Sequence, residues 1–314
     1  MFSNNIIVRI FFLRLNNIRE LGDEMTIQLT TDSGADVPKH LQAEWNIKVV
    51  PLFVRFGEEQ YKSEDLTTKD FLERVSTGKV FPQSAAPSPQ DYYDTFKAID
   101  PSHPIIHISV SSGVSASYNH AVMAKTQLLE EEPDREIYLI DTKSASSGMI
   151  LMLDDAAQMI EQNASAEDIA HHLESRVPYL RTVFLLETID NLIRGGRLSR
   201  AKGAIAKTLN VKLILHASEE GKIDVLEKVR GAKKAHRRFH ELIGEYIKDP
   251  AEKVFVMTHG YAKEKCDDVL DKIRERYPFK HVYQAETGPV IAAHAGKGAL
   301  VMSFFSDLTH QEKK

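Results

Sequence analysis

The chain has 314 residues, 42% hydrophobic and 27% charged, an ordinary globular balance with enough length for two domains. Its 40 basic and 45 acidic residues give a net charge of -5, which argues against a nucleic-acid partner, since polyanion binders concentrate Lys and Arg. The single cysteine, Cys266, excludes an internal disulfide and a thiolate metal cluster, and fits a reducing, cytoplasmic setting.

Residues 6–13 are apolar apart from Arg9. That run is too short for a membrane helix, which needs about 20 apolar residues, and no small-residue cleavage site follows it. Regular organisation begins at Met25, so residues 1–24 read as an N-terminal extension from an upstream start, with a short membrane-facing or partner-binding helix as the alternative.

Alternation predicts a strand over residues 26–30, a polar turn at Thr31-Asp32-Ser33-Gly34-Ala35-Asp36 and a short helix over 38–45. The β-branched run 48–56 ends at Gly57-Glu58-Glu59 and reads as a hairpin returning through 61–63. Thr67 caps a helix over 69–76, and Ser88-Pro89-Gln90-Asp91 carries a cap, a first-turn proline and an acid at the third position. Between them, residues 81–87 read as a loop stiffened by Pro82 and Pro87.

Strand, polar turn and helix then recur. Residues 105–110 lead through Ser111-Ser112-Gly113-Val114-Ser115 into a helix over 117–129, and 136–140 lead through Asp141-Thr142-Lys143-Ser144 into one over 145–162. This repetition implies βαβ units and a mainly parallel sheet, with polar turns at the strand ends where open α/β sheets bind ligands. The pattern changes after about residue 165. A polar helix carrying His171 and His172 precedes a strand over 182–187 and a short helix over 189–194. Ser199 caps a helix over 202–209, the runs 211–216 and 223–229 pair antiparallel, and one long charged helix covers 233–247. Strand 254–258, helix 263–277, and strands 282–285 and 300–304 complete the chain. The expected fold is α/β: an N-terminal domain, residues 25–175, with a mainly parallel sheet flanked by helices, and a C-terminal α+β domain, residues 176–314, with an antiparallel or mixed sheet.

Enzyme signatures fail one by one. Gly113-Val114-Ser115-Ala116-Ser117 lacks the second glycine of a nucleophile elbow, and Gly296-Lys297-Gly298 is too short for a phosphate loop. His171 and His172 are adjacent, so they diverge on a helix and make a poor metal pair. No metal and no catalytic residue is expected. What remains is hydroxyl-rich turns suited to a carboxylate or phosphate. Most of those serines double as helix caps; Ser84 and His294 do not.

Several motifs, in order, carry a resemblance: Thr31 to Asp36, Val50-Pro51-Leu52, Pro87-Ser88-Pro89, Ser111 to Tyr118, Gly195-Gly196-Arg197-Leu198-Ser199, Lys228-Val229-Arg230-Gly231, and Gly288-Pro289 before His294-Ala295-Gly296. From Met25 to about Phe305 the chain resembles the DegV family of fatty-acid-binding proteins. The resemblance implies a fatty acid in a tunnel between the two domains, its carboxylate held by Ser84 and Ser115. Ser33, Ser112 and His294 are further pocket candidates. It implies no cofactor, and a partner fatty acid kinase that holds ATP and magnesium and makes acyl phosphate, for bacterial phospholipid metabolism. Arg197, His259 and Lys297 are candidates for the kinase contact, and membrane contact is at most transient. Ala85, Ala86 and Ala116 depart from the family pattern, as do Gly34, Ser117 and Lys297. A hydrolase or phosphotransferase, or a module binding or sensing another lipid or small anion, are the alternatives.

Overall fold

The computed structural model describes residues 26–78, 80–198 and 210–312. The extension 1–24 and the helix expected over 202–209, with its cap Ser199, lie outside them.

Four parallel strands form the first sheet: β1 (Gln28–Asp32), β2 (Lys48–Val50), β6 (Ile105–Ser109) and β7 (Ile137–Asp141), in the order β2-β1-β6-β7. A second sheet has three antiparallel strands, β3 (Phe53–Phe56), β4 (Glu59–Lys62) and β5 (Gln83–Ala85), in the order β4-β3-β5. The third contains β8 (Leu180–Leu185), β9 (Val211–Ala217), β10 (Ile223–Arg230), β11 (Val254–His259), β12 (His281–Glu286) and β13 (Leu300–Phe305). Its order is β10-β9-β8-β13-β11-β12, antiparallel throughout except for the β11–β12 pair. The expected α/β class, with a parallel N-terminal sheet and a mixed C-terminal one, is what the chain adopts.

Helix Ser147–Glu161 joins the layers. Its residues from Ser147 to Leu153 are all buried, because it packs against β6 on one side and against β8, β11 and β13 on the other. A helix apolar around most of its girth belongs in such a position. Its Met149, Ile150 and Leu153 share one core with Leu29 and Ile108 of the parallel sheet and Val256 of β11.

Three local expectations need correction. The run 48–56 is two strands in different sheets: Pro51 interrupts it, β2 pairs with β1, and β3 pairs with β4 and β5. The stiff loop at 81–87 contains strand β5, in which Ser84 lies opposite Val54. The helix expected over 233–247 is two, Ala232–Glu241 and Ile243–Tyr246, although Leu242 between them keeps helical angles. Helix Pro289–Ala295 went unread in the sequence. Its proline takes the first position and Gly296, at φ 75°, ends it.

Candidate functional site

The β3 sheet, the Ser111–Ser115 turn and helix Pro289–Ala295 converge on one cavity of about 210 Å³. Leu52, Phe184, Leu186, Ile223, Ile291 and Val301 supply much of its apolar wall, while Ser84, Ser115, Arg197 and His294 bring polar groups to it.

Helix Pro289–Ala295 presents Val290, Ile291, His294 and Ala295 to the cavity, the i, i+1, i+4, i+5 face of a helix. Its other contacts fix it in place: Val290, Ala292 and Ala293 form a small core with Leu52, Val54 and Phe71. At its start the Gly288 amide donates to Asp36 Oδ1 at 2.7 Å. Thus anchored, His294 brings Nε2 to 2.8 Å from Ser84 Oγ.

The imidazole is held neutral. Burial, aided by the Arg197 charge, pushes the His294 pKa down to about 4. Nδ1 is closed off from solvent and has no partner among the described residues. A buried orphan acceptor is tolerated better than an orphan N–H, so the proton belongs on Nε2, where it is donated to Ser84 Oγ. That leaves the Ser84 hydroxyl hydrogen free to point at a ligand. The close approach depends on Gly195: a Cβ there would lie 2.7 Å from His294 Nδ1.

Strand-end aspartates position the second hydroxyl. Asp32 accepts the Val110 amide at 2.9 Å and Asp141 accepts the Ser112 amide at 3.1 Å, fixing both flanks of the turn. Ser111 Oγ accepts the Gly113 amide and donates to the Gly221 carbonyl, tying the turn to the β9–β10 connection. Ser115 then sits before helix Ser117–Glu131, its Oγ accepting the Ser117 amide at 3.2 Å and lying 2.9 Å from Ser117 Oγ. Burial of Asp32 raises its carboxyl to about 6.

Of the residues singled out in the sequence, Ser84, Ser115, Arg197 and His294 line this cavity together. Arg197 also borders an outer groove with Ser112, Ser115 and Gly196, and donates to the Gly195 and Val114 carbonyls. Ser112 lies in that groove, where its Oγ accepts from Lys143 Nζ at 3.0 Å. Ser33 is not in the cavity lining; its Oγ accepts the Leu52 amide at 2.8 Å and lies 2.7 Å from Ser63 Oγ. His259 and Lys297 also lie outside the lining. His259 Nδ1 accepts the Ala262 amide, and exposed Lys297 stands over the Tyr261 ring. Sequence reasoning missed Ser144, Ser146 and Thr182 as lining residues; the polar turn after β7 was the available signal for the first two. Among the described residues no group of three or more His, Cys, Asp or Glu side chains could hold a metal, and no helix is long and apolar enough to cross a membrane.

Fold and site together define an α/β protein with an apolar cavity between its sheets and hydroxyls, an imidazole and a guanidinium at its polar end. The chain belongs to the DegV family: a family profile described as "Uncharacterised protein, DegV family" matches residues 26–307. It is 29% identical over 281 residues to a DegV domain-containing protein of Clostridium perfringens, covering 88% of this chain and 96% of the relative. Among solved structures it is similar to the Streptococcus pneumoniae Fatty Acid Kinase (Fak) B3 protein loaded with linoleic acid, at 27% identity and a TM-score of 0.79, covering 90% of this chain and 100% of the other. It is also similar to a stearic-acid-binding protein from Eubacterium ventriosum, at 25% identity and a TM-score of 0.82, covering 90% and 98%.

Proposed function

We propose that this protein binds a long-chain fatty acid in the cavity, with Ser84 and Ser115 donating to its carboxylate and His294 holding Ser84 in the donating orientation. The observation that carries this reading is the Ser84–His294 pair in the wall of a largely apolar cavity. A carboxylate leaving water must be hydrogen-bonded, and the two hydroxyls supply that where the Ser117–Glu131 helix begins, its positive dipole end. The neutral imidazole adds no charge, and Arg197 supplies the positive one. Each methylene buried along the apolar wall contributes about 0.8 kcal/mol. The linoleic- and stearic-acid-binding relatives support the same ligand class.

The protein is then a carrier and not itself an enzyme: residues 25–175 and 176–314 form two domains around the acid, and the complex is presented in the cytoplasm to a separate fatty acid kinase. Arg197, shared by the cavity and the outer groove, is where carboxylate and kinase would meet; His259 and Lys297 are more distant candidates for the kinase contact.

Native mass spectrometry and lipid extraction of the purified protein test the reading. A co-purified fatty acid is expected, with weaker retention after Ser84→Ala or Ser115→Ala. Absence of binding or stabilisation by saturating fatty acid overturns it. Acyl phosphate is expected only when kinase, ATP and this protein are all present.

A further inference from the structure

The Ser115 hydroxyl can serve a carboxylate only if its single hydrogen points at the ligand. Its Oγ accepts the Ser117 amide at 3.2 Å and lies 2.9 Å from Ser117 Oγ. Two directions are open to that second contact. If Ser115 donates to Ser117, it turns a lone pair to the cavity, which repels a carboxylate. If Ser117 donates to Ser115, both acceptor sites on Ser115 Oγ are filled and its hydrogen is left for the ligand. What stands behind Ser117 therefore decides what Ser115 offers.

Ser117 is fully buried at the start of helix Ser117–Glu131, and Ala121, Ala124 and Leu128 continue its buried face. Tyr92, on helix Pro89–Lys97, packs in one core with those three residues. The two helices run side by side in the same direction: the Pro87 carbonyl meets His120 Nδ1 near one end, and Lys97 meets Glu131 at the other. Long helical side chains lean toward the N-terminus of their own helix. Tyr92 therefore leans toward Ser117, the first residue of the face it covers.

The Tyr92 hydroxyl is closed off from solvent without a full hydrogen bond of its own, and the Ser117 hydroxyl is the hydrogen-bonding side chain that acts on it. Asp32 also acts on the phenol, but its oxygens already take the Gly34 and Val110 amides and the Ser109 hydroxyl. Burial holds the phenol's pKa well above its ordinary 10, so Tyr92 keeps its hydrogen. A buried O–H left without an acceptor is costly. Turning it to Ser117 Oγ commits the Ser117 hydrogen to Ser115.

We infer that Tyr92 and Ser117 are positioning residues for the carboxylate: a relay from Tyr92 through Ser117 directs the Ser115 hydrogen to the ligand, as His294 does for Ser84. Hydrogen bonds aligned head to tail polarise one another, and more so away from water. Each clamp hydroxyl thus has its own donor behind it. The inference rests on the reading of the cavity as a fatty-acid site.

The test is a set of double-mutant cycles on delipidated protein, read as the dissociation constant for palmitate. Tyr92→Phe keeps the ring and removes only the hydroxyl, and Ser117→Ala breaks the relay at its middle. Each is expected to weaken binding roughly fivefold, the order of one neutral hydrogen bond. In a Ser115→Ala background neither should weaken it further, whereas in Ser84→Ala both should keep their full effect. A purely structural role for Tyr92 would instead shift the affinity by one factor in every background. Thermal melting of the unliganded proteins identifies a variant that fails to fold, and the other variant then completes the cycle. Wild-type affinity in the folded variants, or a loss undiminished in Ser115→Ala, overturns the relay and leaves the fatty-acid site standing. If wild type itself binds no palmitate, the acyl reading falls and the relay with it.

Discussion

Ser84 Oγ and His294 Nε2 lie 2.8 Å apart across 210 positions of sequence. The contact joins an edge strand of the small antiparallel sheet to a helix that follows the last parallel strand pair, β11–β12. It makes the polar end of the cavity a composite of both halves of the chain, so perturbing either partner should be read at the ligand. A hydrogen bond to a charged group contributes about 1.5–3 kcal/mol, so Ser84→Ala is expected to weaken fatty-acid retention roughly tenfold or more. His294→Ala should follow it in direction, because Ser84 then loses its orienting donor.

His294 also sets a pH dependence. Its folded pKa of about 4 lies below the ordinary 6.5, so the native state binds fewer protons than the unfolded chain between those values. Stability from this group is present above pH 6.5 and is lost as pH falls towards 4. His294→Gln should flatten that part of the stability curve in urea unfolding between pH 7 and 4; an unchanged slope would falsify the assignment of a buried neutral imidazole.

Asp36 works with the opposite sign. Its carboxyl is raised to about 8, chiefly by burial, and links Ser146, at 2.5 Å, to the Gly288 amide. A raised folded pKa means that the native state holds a proton the unfolded chain has lost, so stability declines as pH rises from 3.8 to 8. Asparagine mimics the protonated acid: its oxygen can accept from Gly288 and its amide can donate to Ser146, which reaches Thr258 Oγ1 at 2.7 Å. Melting temperatures at pH 5, 7 and 9 should therefore fall less in Asp36→Asn than in wild type.

Gly195 tests whether the histidine's position matters apart from its chemistry. Alanine there would place Cβ against Nδ1 and Cε1, at 2.7 and 2.9 Å, and force the ring to shift. Overpacking of this kind costs about 1–3 kcal/mol. Gly195→Ala is expected to lower retention towards the His294→Ala level with His294 still present. Retention equal to wild type would show that the ring tolerates the displacement.

Much of the architecture could be read locally, and the reason is periodicity. Strands β6 and β7 with their polar turns and following helices are contiguous patterns, and the turns lie at the parallel strand ends as α/β topology requires. Ser115 was therefore legible from its motif. Ser84 and His294 stood out only as polar residues without a local use. Their pairing was invisible because it depends on two elements that local pattern hid: β5, three residues beside a proline, and helix Pro289–Ala295, a single short stretch of mostly small residues. Pro51 likewise concealed a change of sheet inside one β-branched run. Thr182 read as an ordinary strand residue, since what brings it to the cavity is its register opposite Ser303.

Ser33 separates scaffold from site. Its hydroxyl accepts the Leu52 amide and pairs with Ser63, away from the cavity lining. Ser33→Ala should cost about 1 kcal/mol of unfolding free energy in denaturant titration and leave fatty-acid retention unchanged.

The carboxylate clamp is tested most directly by the carbon-13 resonance of carboxyl-labelled palmitate mixed with the protein. The expected result is a bound carboxyl signal distinct from free palmitate, constant between pH 6 and 8, and shifted by Ser84→Ala and separately by Ser115→Ala. A bound signal that titrates like the free acid, or that neither substitution moves, would contradict the clamp.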